Sequence, residues 1–398
     1  MSVVFVHIGL PKTGTTYLQD RLWRNRDRAL GVGLCYPGDG IDDHFHAAAH
    51  LQPKRYLDWV DPEHAGAWPT MVAQMRAWPG TSLVSHELLA TANREQIARF
   101  VGDLDFADEV HVIATVRDLA RQLPSAWQEN VKNQRRGTFD EFVDAVAARA
   151  DSADLSHGEE GPFWEFQDYV RILDDWSSAV PEGNIHLVTV PRKGADTSLW
   201  ERFLGVLSVD ESALSEPIES ANSSLSAAQA EFLRRLNDRL QPSEIEWARY
   251  ERIVKGELIG EVLFAGERGA PQGLSTEQRY WAARRARAAR ARPAPMEAAT
   301  SATVTGASKE RMEPSGSVIL GMISPATLNS GQKKSADGSA LFFDIGTKAN
   351  RLGFLNQDSA SSEIHGTAPF KVLVGAIGFE PTTPTMSRWC SNQLSYAP

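Results

Sequence analysis

The pattern of apolar and polar positions divides the first 292 residues into short apolar runs separated by amphipathic stretches. Val3 to Ile8 is apolar and rich in β-branched residues, the composition of a short buried strand. Residues 82–85, where Leu83 and Val84 are apolar, 110–116 and 185–190 read as further strands, and Val110 to Val116 is the clearest of them. Helical spacing fills the intervals. A helix opens at Thr15 or Thr16 and continues through Tyr17, Leu18 and Leu22. Others are expected over Asn93 to Val101, Phe163 to Val180 and Thr197 to Leu207. Two more cover Ala227 to Leu240 and Thr276 to Arg292. Leu119, Leu123, Trp127 and Val131 mark a helix from Leu119 to Lys132, with Pro124 expected to bend or restart it near Ser125. The glycine-rich stretch Gly31 to Gly40 reads as turn. Strands alternating with helices predict an α/β domain of three layers, a mainly parallel central sheet flanked by helices.

The pattern fades after Arg292. Residues 293–398 are rich in Ser, Thr, Gly and Ala with only short apolar runs, so a low-order tail is expected behind a 1–292 domain. Its last stretch, Gly375 to Pro398, resembles a peptide that recurs at the ends of unrelated bacterial proteins, which suggests a gene-model extension.

Composition narrows the class. Of 398 residues 42% are hydrophobic, enough for a globular core, and the net charge of −10 argues against a general nucleic-acid binder. The arginines from Arg279 to Arg292 then read as a solvated closing helix rather than a nucleic-acid arm. Two cysteines, Cys35 and Cys390, make no disulfide framework. No run of eighteen apolar residues occurs in the chain and no basic leader precedes the first strand, so a cytoplasmic protein without integral membrane association is expected.

Chemistry concentrates in the turn after the first strand, His7-Ile8-Gly9-Leu10-Pro11-Lys12-Thr13-Gly14-Thr15-Thr16. Strand, tight loop and helix N-terminus form a phosphate cradle, because first-turn amides and the helix dipole favour an anion there. Lys12 adds a mobile charge and the threonines add hydroxyl donors. A Walker A loop has its lysine directly after the second glycine, whereas Lys12 precedes Gly14 by two residues. The run Pro11-Lys12-Thr13-Gly14-Thr15-Thr16 instead resembles the 5′-phosphosulfate loop of the sulfotransferases that use 3′-phosphoadenosine 5′-phosphosulfate (PAPS). A P-loop-like version of the three-layer fold is thereby implied.

A second half-motif supports the resemblance. The strand at 110–116 runs into Arg117-Asp118, and Ser125 follows eight residues after Arg117. In that family this strand–Arg–helix–Ser order holds the nucleotide's 3′-phosphate, which an arginine fork suits. His86 and Glu87 follow the strand at 82–85, where parallel sheets place chemistry. The family carries a catalytic histidine there, and some members use a carboxylate, so His86 and Glu87 both stand as the general base. Over residues 1–290 the resemblance implies transfer of a sulfonate from PAPS to a hydroxyl or amine of a small-molecule, lipid or glycan acceptor, without a metal.

Other features carry less. His46 and His50 sit four apart, a spacing for one metal-binding face, but have no second ligand pair nearby, so a wall of the acceptor pocket or an exposed segment is the alternative. The basic cluster Lys132, Arg135 and Arg136 suits an anionic acceptor or simply a solvated loop. Arg192-Lys193-Gly194 matches an R-K-G phosphate element of the family in letters but lies too early in the chain, and reads as coincidence. Two rivals remain: a small-molecule or nucleotide kinase with a degenerate P-loop, using Asp118 on Mg²⁺, and a non-catalytic nucleotide-binding module.

Overall fold

The computed structural model describes residues 1–52, 62–152, 161–218, 224–240, 245–266 and 269–291. The 293–398 tail, most of the polar loop at 152–161 and the start of the expected cap at 222–226 lie outside the described residues. Five strands form one sheet: β1 (Val3–His7), β2 (Leu34–Cys35), β3 (Thr81–Ser85), β4 (Glu109–Val116) and β5 (Ile185–Thr189). Their order is β2-β3-β1-β4-β5 and every pairing is parallel. The first strand is therefore central, which is why its sequence shows no polar alternation. Val6 registers with Val84 of β3 on one side and Val112 of β4 on the other.

Alternate residues of β1 feed opposite layers. Val4 and Val6 pack with Val84, Val112 and Ala114 against α3 (Ala67–Ala77), α4 (Arg94–Gly102) and α7 (Tyr169–Ser177). Phe5 packs the other way with Leu83, Ile113 and Val188 against α1 (Thr15–Arg24) and α8 (Leu199–Leu207). Helices on both faces of a parallel sheet make the three-layer α/β fold that the alternation predicts. A third apolar cluster joins α5 (Leu119–Lys132), α6 (Phe139–Ala148), α9 (Ala227–Arg239) and a π-helical segment, Glu251–Leu263. Trp281 of α10 (Thr276–Ala291) packs against the same cluster.

Local signals explain the boundaries. Asn93, Thr138, Ser198 and Ser226 each accept a bond from the third helical residue, whose Glu or Gln side chain returns to the cap amide. Two expectations need correction. The stretch Gly31 to Gly40 contains β2, a two-residue strand too short for any periodicity to reveal. The expected helix from Phe163 to Val180 is two helices, Phe163–Gln167 and α7, because Asp168 leaves helical geometry and accepts from the Arg171 amide as a new cap. Pro124, by contrast, is carried within one continuous α5. No helix among the described residues is long and apolar enough to cross a membrane.

Candidate functional site

The site is built on the chain leaving β1. Gly9 has a φ of 64° and stands so close to Glu87 that an added Cβ would lie 3.0 Å from the Glu87 Cβ and 2.7 Å from Thr15 Cγ2. Lys12 also takes a left-handed φ, 67°, a conformation that costs a non-glycine residue about 1–2 kcal/mol. Gly14, φ 96°, caps α1 without a side-chain bond. The first helical bond is Leu18 N–H to the Gly14 carbonyl at 3.1 Å, so the amides of residues 15–17 stand ahead of the helical ladder.

Side chains from three elements fix the loop. Thr13 is buried, donates its hydroxyl to the Leu10 carbonyl at 2.6 Å, and shares a 2.7 Å hydrogen bond with Thr115 of β4. The Pro11 carbonyl accepts from Gln122 of α5 at 2.8 Å and from Gln167 at 3.0 Å. Arg117 Nη1 donates to the Lys12 carbonyl at 3.4 Å. Loop carbonyls are thus engaged by outer side chains, which holds the loop's backbone geometry. Arg117 Nε and Gln122 Oε1 are buried without a partner among the described residues, spare hydrogen-bonding capacity beside the loop. Burial, reinforced by Arg121, lowers the Arg117 pKa from its ordinary value.

Of the expected site residues, Pro11, Lys12, Thr13, Gly14, Thr15 and Thr16 form this turn and helix start, and Arg117 reaches it. Thr15 is buried and Thr16 half-buried at the α1 N-terminus. Ser125 is half-buried two turns into α5. Lys12 donates to Glu129 Oε2 at 2.7 Å, a partner that no local motif marks in the sequence although Glu129 follows Ser125 by four residues on the same helix. Burial works against the Glu129 charge, but Lys12, Lys132 and Lys255 overcome it and hold the carboxyl far below the usual range.

His86 and Glu87 are both buried. Their surroundings differ. His86 Nδ1 accepts the Leu88 amide at 3.2 Å, which leaves the proton of the neutral ring on Nε2. Burial lowers the His86 pKa from the ordinary value, with Glu87 opposing the shift. Glu87 Oε2 accepts from Gln19 at 3.2 Å, and the same Gln19 amide reaches the Ser85 carbonyl. Behind them, His7 shares hydrogen bonds with Ser85 and Thr115, and His44 takes the Ser85 amide and pairs with the Pro37 carbonyl. Burial, with His86 adding to it, lowers the pKa of each of these two histidines to about 3.

Among the described residues no group of three or more His, Cys, Asp or Glu side chains could hold a metal. His46 of α2 (Asp43–Leu51) stacks on His64 at 4.1 Å. Asp118 caps α5 by accepting the Arg121 amide at 3.1 Å and pairs with the Arg121 guanidinium. Arg192, Lys193 and Gly194 lie exposed in the loop after β5. No protein-family model matches the chain, and no curated protein matches it.

Proposed function

We propose that this protein is a PAPS-dependent sulfotransferase, moving a sulfonate to a hydroxyl or amine of a small-molecule, lipid or glycan acceptor. One observation carries the reading: Arg117, from the second half-motif, donates to the backbone of Lys12 in the first. Two stretches a hundred residues apart in sequence thus share one site beside Gly9 and Gly14. The fit to a nucleotide with phosphates at both ends rests on the loop amides and threonines for the 5′ side. Arg117, whose buried Nε has no partner among the described residues, and Ser125 would serve the 3′-phosphate.

The residues supply a direct displacement. The acceptor oxygen or nitrogen forms its bond to sulfur as the sulfur–oxygen bond to the 5′-phosphate breaks, and the base takes the acceptor's proton. Lys12 and the loop amides neutralise the charge left on the departing phosphate oxygen. Between the two candidate bases, the hydrogen bonding favours Glu87. The Leu88 amide occupies His86 Nδ1, so the ring's remaining nitrogen is a donor, whereas Glu87 is an acceptor oriented by Gln19 against the loop. His86 then acts by fixing the turn that presents Glu87.

Kinase chemistry needs a carboxylate on Mg²⁺, and Asp118 is engaged as helix cap and Arg121 partner, which weakens that rival. The test is sulfonate transfer from labelled PAPS to a panel of acceptors by wild type, Glu87→Gln and His86→Asn. Glu87→Gln should lose roughly 10²–10⁴ of the rate, the usual worth of a general base, with His86→Asn losing less. Full activity in both variants rejects the base assignment, and no transfer by wild type to any acceptor class counts against the reaction.

A further inference from the structure

Lys12, the residue meant to meet the incoming phosphate, is already engaged. Its ammonium lies 2.7 Å from Glu129 Oε2, and Glu129 is a buried carboxylate on the helix that also carries Ser125. The surroundings of Glu129 are unusual. Lys132 Nζ lies 4.0 Å from the same oxygen, and Asn133 Nδ2 lies 3.5 Å from the other. Asn133 Oδ1 in turn accepts from Lys255 Nζ at 3.0 Å, a lysine delivered by the π-helical segment and also paired with Glu251. One carboxylate therefore sits among three lysines from three separate parts of the chain.

We infer that Glu129 is a resident counter-anion of the phosphate loop: it holds the Lys12 ammonium in place and yields it to an arriving phosphate. The arrangement is suited to a hand-over. A buried ion pair resists releasing one partner, because the remaining charge is stranded away from water without compensation. Here Lys132 and the Asn133–Lys255 pair stay with Glu129 when Lys12 swings away, so the carboxylate keeps its compensation. The lysine is meanwhile kept within reach of the cradle in a loop already fixed through the Pro11 and Lys12 carbonyls. Competition is the consequence: any anion binding at the loop must draw Lys12 from Glu129, so the carboxylate lowers anion affinity and eases release of a tightly held phosphorylated product. Glu129 is on this view a positioning residue.

The inference rests on the loop taking a phosphate-like anion, which is one part of the proposed function and does not require the sulfonate chemistry. Its test is titration calorimetry of the full chain with inorganic pyrophosphate and, separately, adenosine 3′,5′-bisphosphate. Glu129→Gln removes the competing charge while keeping the side chain's shape, and should tighten pyrophosphate binding roughly tenfold. A purely structural pair gives no tightening, because an unanchored Lys12 binds no better. Unchanged or weaker pyrophosphate binding by a Glu129→Gln protein with the wild-type near-ultraviolet circular dichroism spectrum overturns the inference. Should Glu129→Gln not fold, Glu129→Asp retains the buried charge but withdraws it by one methylene. It should tighten binding severalfold, and no tightening overturns the inference equally. The bisphosphate arm separates the two claims. Pyrophosphate tightening in variants of a protein that does not bind the bisphosphate sustains the role of Glu129 and removes the PAPS reading.

Discussion

At the scale of single residues, the site depends on a glycine whose left-handed backbone and close approach to Glu87 make a side chain costly, and on imidazoles that stay neutral. Gly9→Ala must place a Cβ within 3.0 Å of Glu87 at a left-handed φ. It should cost about 1–3 kcal/mol and weaken bisphosphate binding, seen in parallel urea denaturation and calorimetry. A variant of wild-type stability would show that the loop moves freely from Glu87. The buried histidines make a different prediction. His7 and His44 have pKa values of about 3 in the folded protein against about 6.5 unfolded, so the unfolded chain binds more protons between those limits. Their contribution is full above about pH 6.5 and is lost as the pH falls towards 3. At pH 5 each withdraws on the order of 2 kcal/mol relative to pH 8. Denaturant titrations at the two pH values should show that loss, and equal stabilities would mean that these rings do not stay neutral. Lys12 and Thr13 were legible in the sequence because their spacing is a motif. Glu129, Gln122 and Gln167 were not, since what they do is set by which helix passes the loop, and no local spacing encodes that.

At the scale of elements, α5 links the two half-motifs: it begins at the Asp118 cap beside Arg117, carries Gln122 to Pro11, and brings Glu129 to Lys12. Asp118→Ala should destabilise by about 1 kcal/mol through loss of the cap, while Asp118→Asn keeps a capping side chain and stays much closer to wild type. Neither should create or abolish a Mg²⁺ dependence of nucleotide binding. A Mg²⁺-dependent ATP affinity that disappears in Asp118→Asn would instead make Asp118 a metal ligand. The strands of the central sheet could be read because a parallel strand buried on both faces is a near-continuous apolar run. Leu34–Cys35 escaped because two residues have no period. The break at Asp168 escaped because Phe163, Phe166, Ile172, Leu173 and Trp176 are buried as one long helix would bury them, and only the cap bond to Arg171 marks the interruption.

At the scale of the molecule, β1 lies between β3, which leads to His86 and Glu87, and β4, which leads to Arg117. The carboxyl ends of three adjacent parallel strands therefore supply the loop, the candidate base and the arginine, the place where open α/β sheets bind ligands. This convergence follows from strand order, which the sequence does not state; only the order of the motifs along the chain hinted at it. The described site draws all its residues from the first 292, so truncation after Arg292 should leave bisphosphate affinity within about twofold of the full chain, a change well under 1 kcal/mol. A larger loss in calorimetry would assign the remaining residues a part in binding. Whether the cradle takes a nucleotide phosphorylated at both its 3′ and 5′ positions is decided by titrating the full chain with adenosine 3′,5′-bisphosphate and with ATP, each with and without Mg²⁺. Metal-independent binding of the bisphosphate, tighter than ATP and weakened in Arg117→Ala, is the expected result. Preference for ATP in the presence of Mg²⁺ would contradict it.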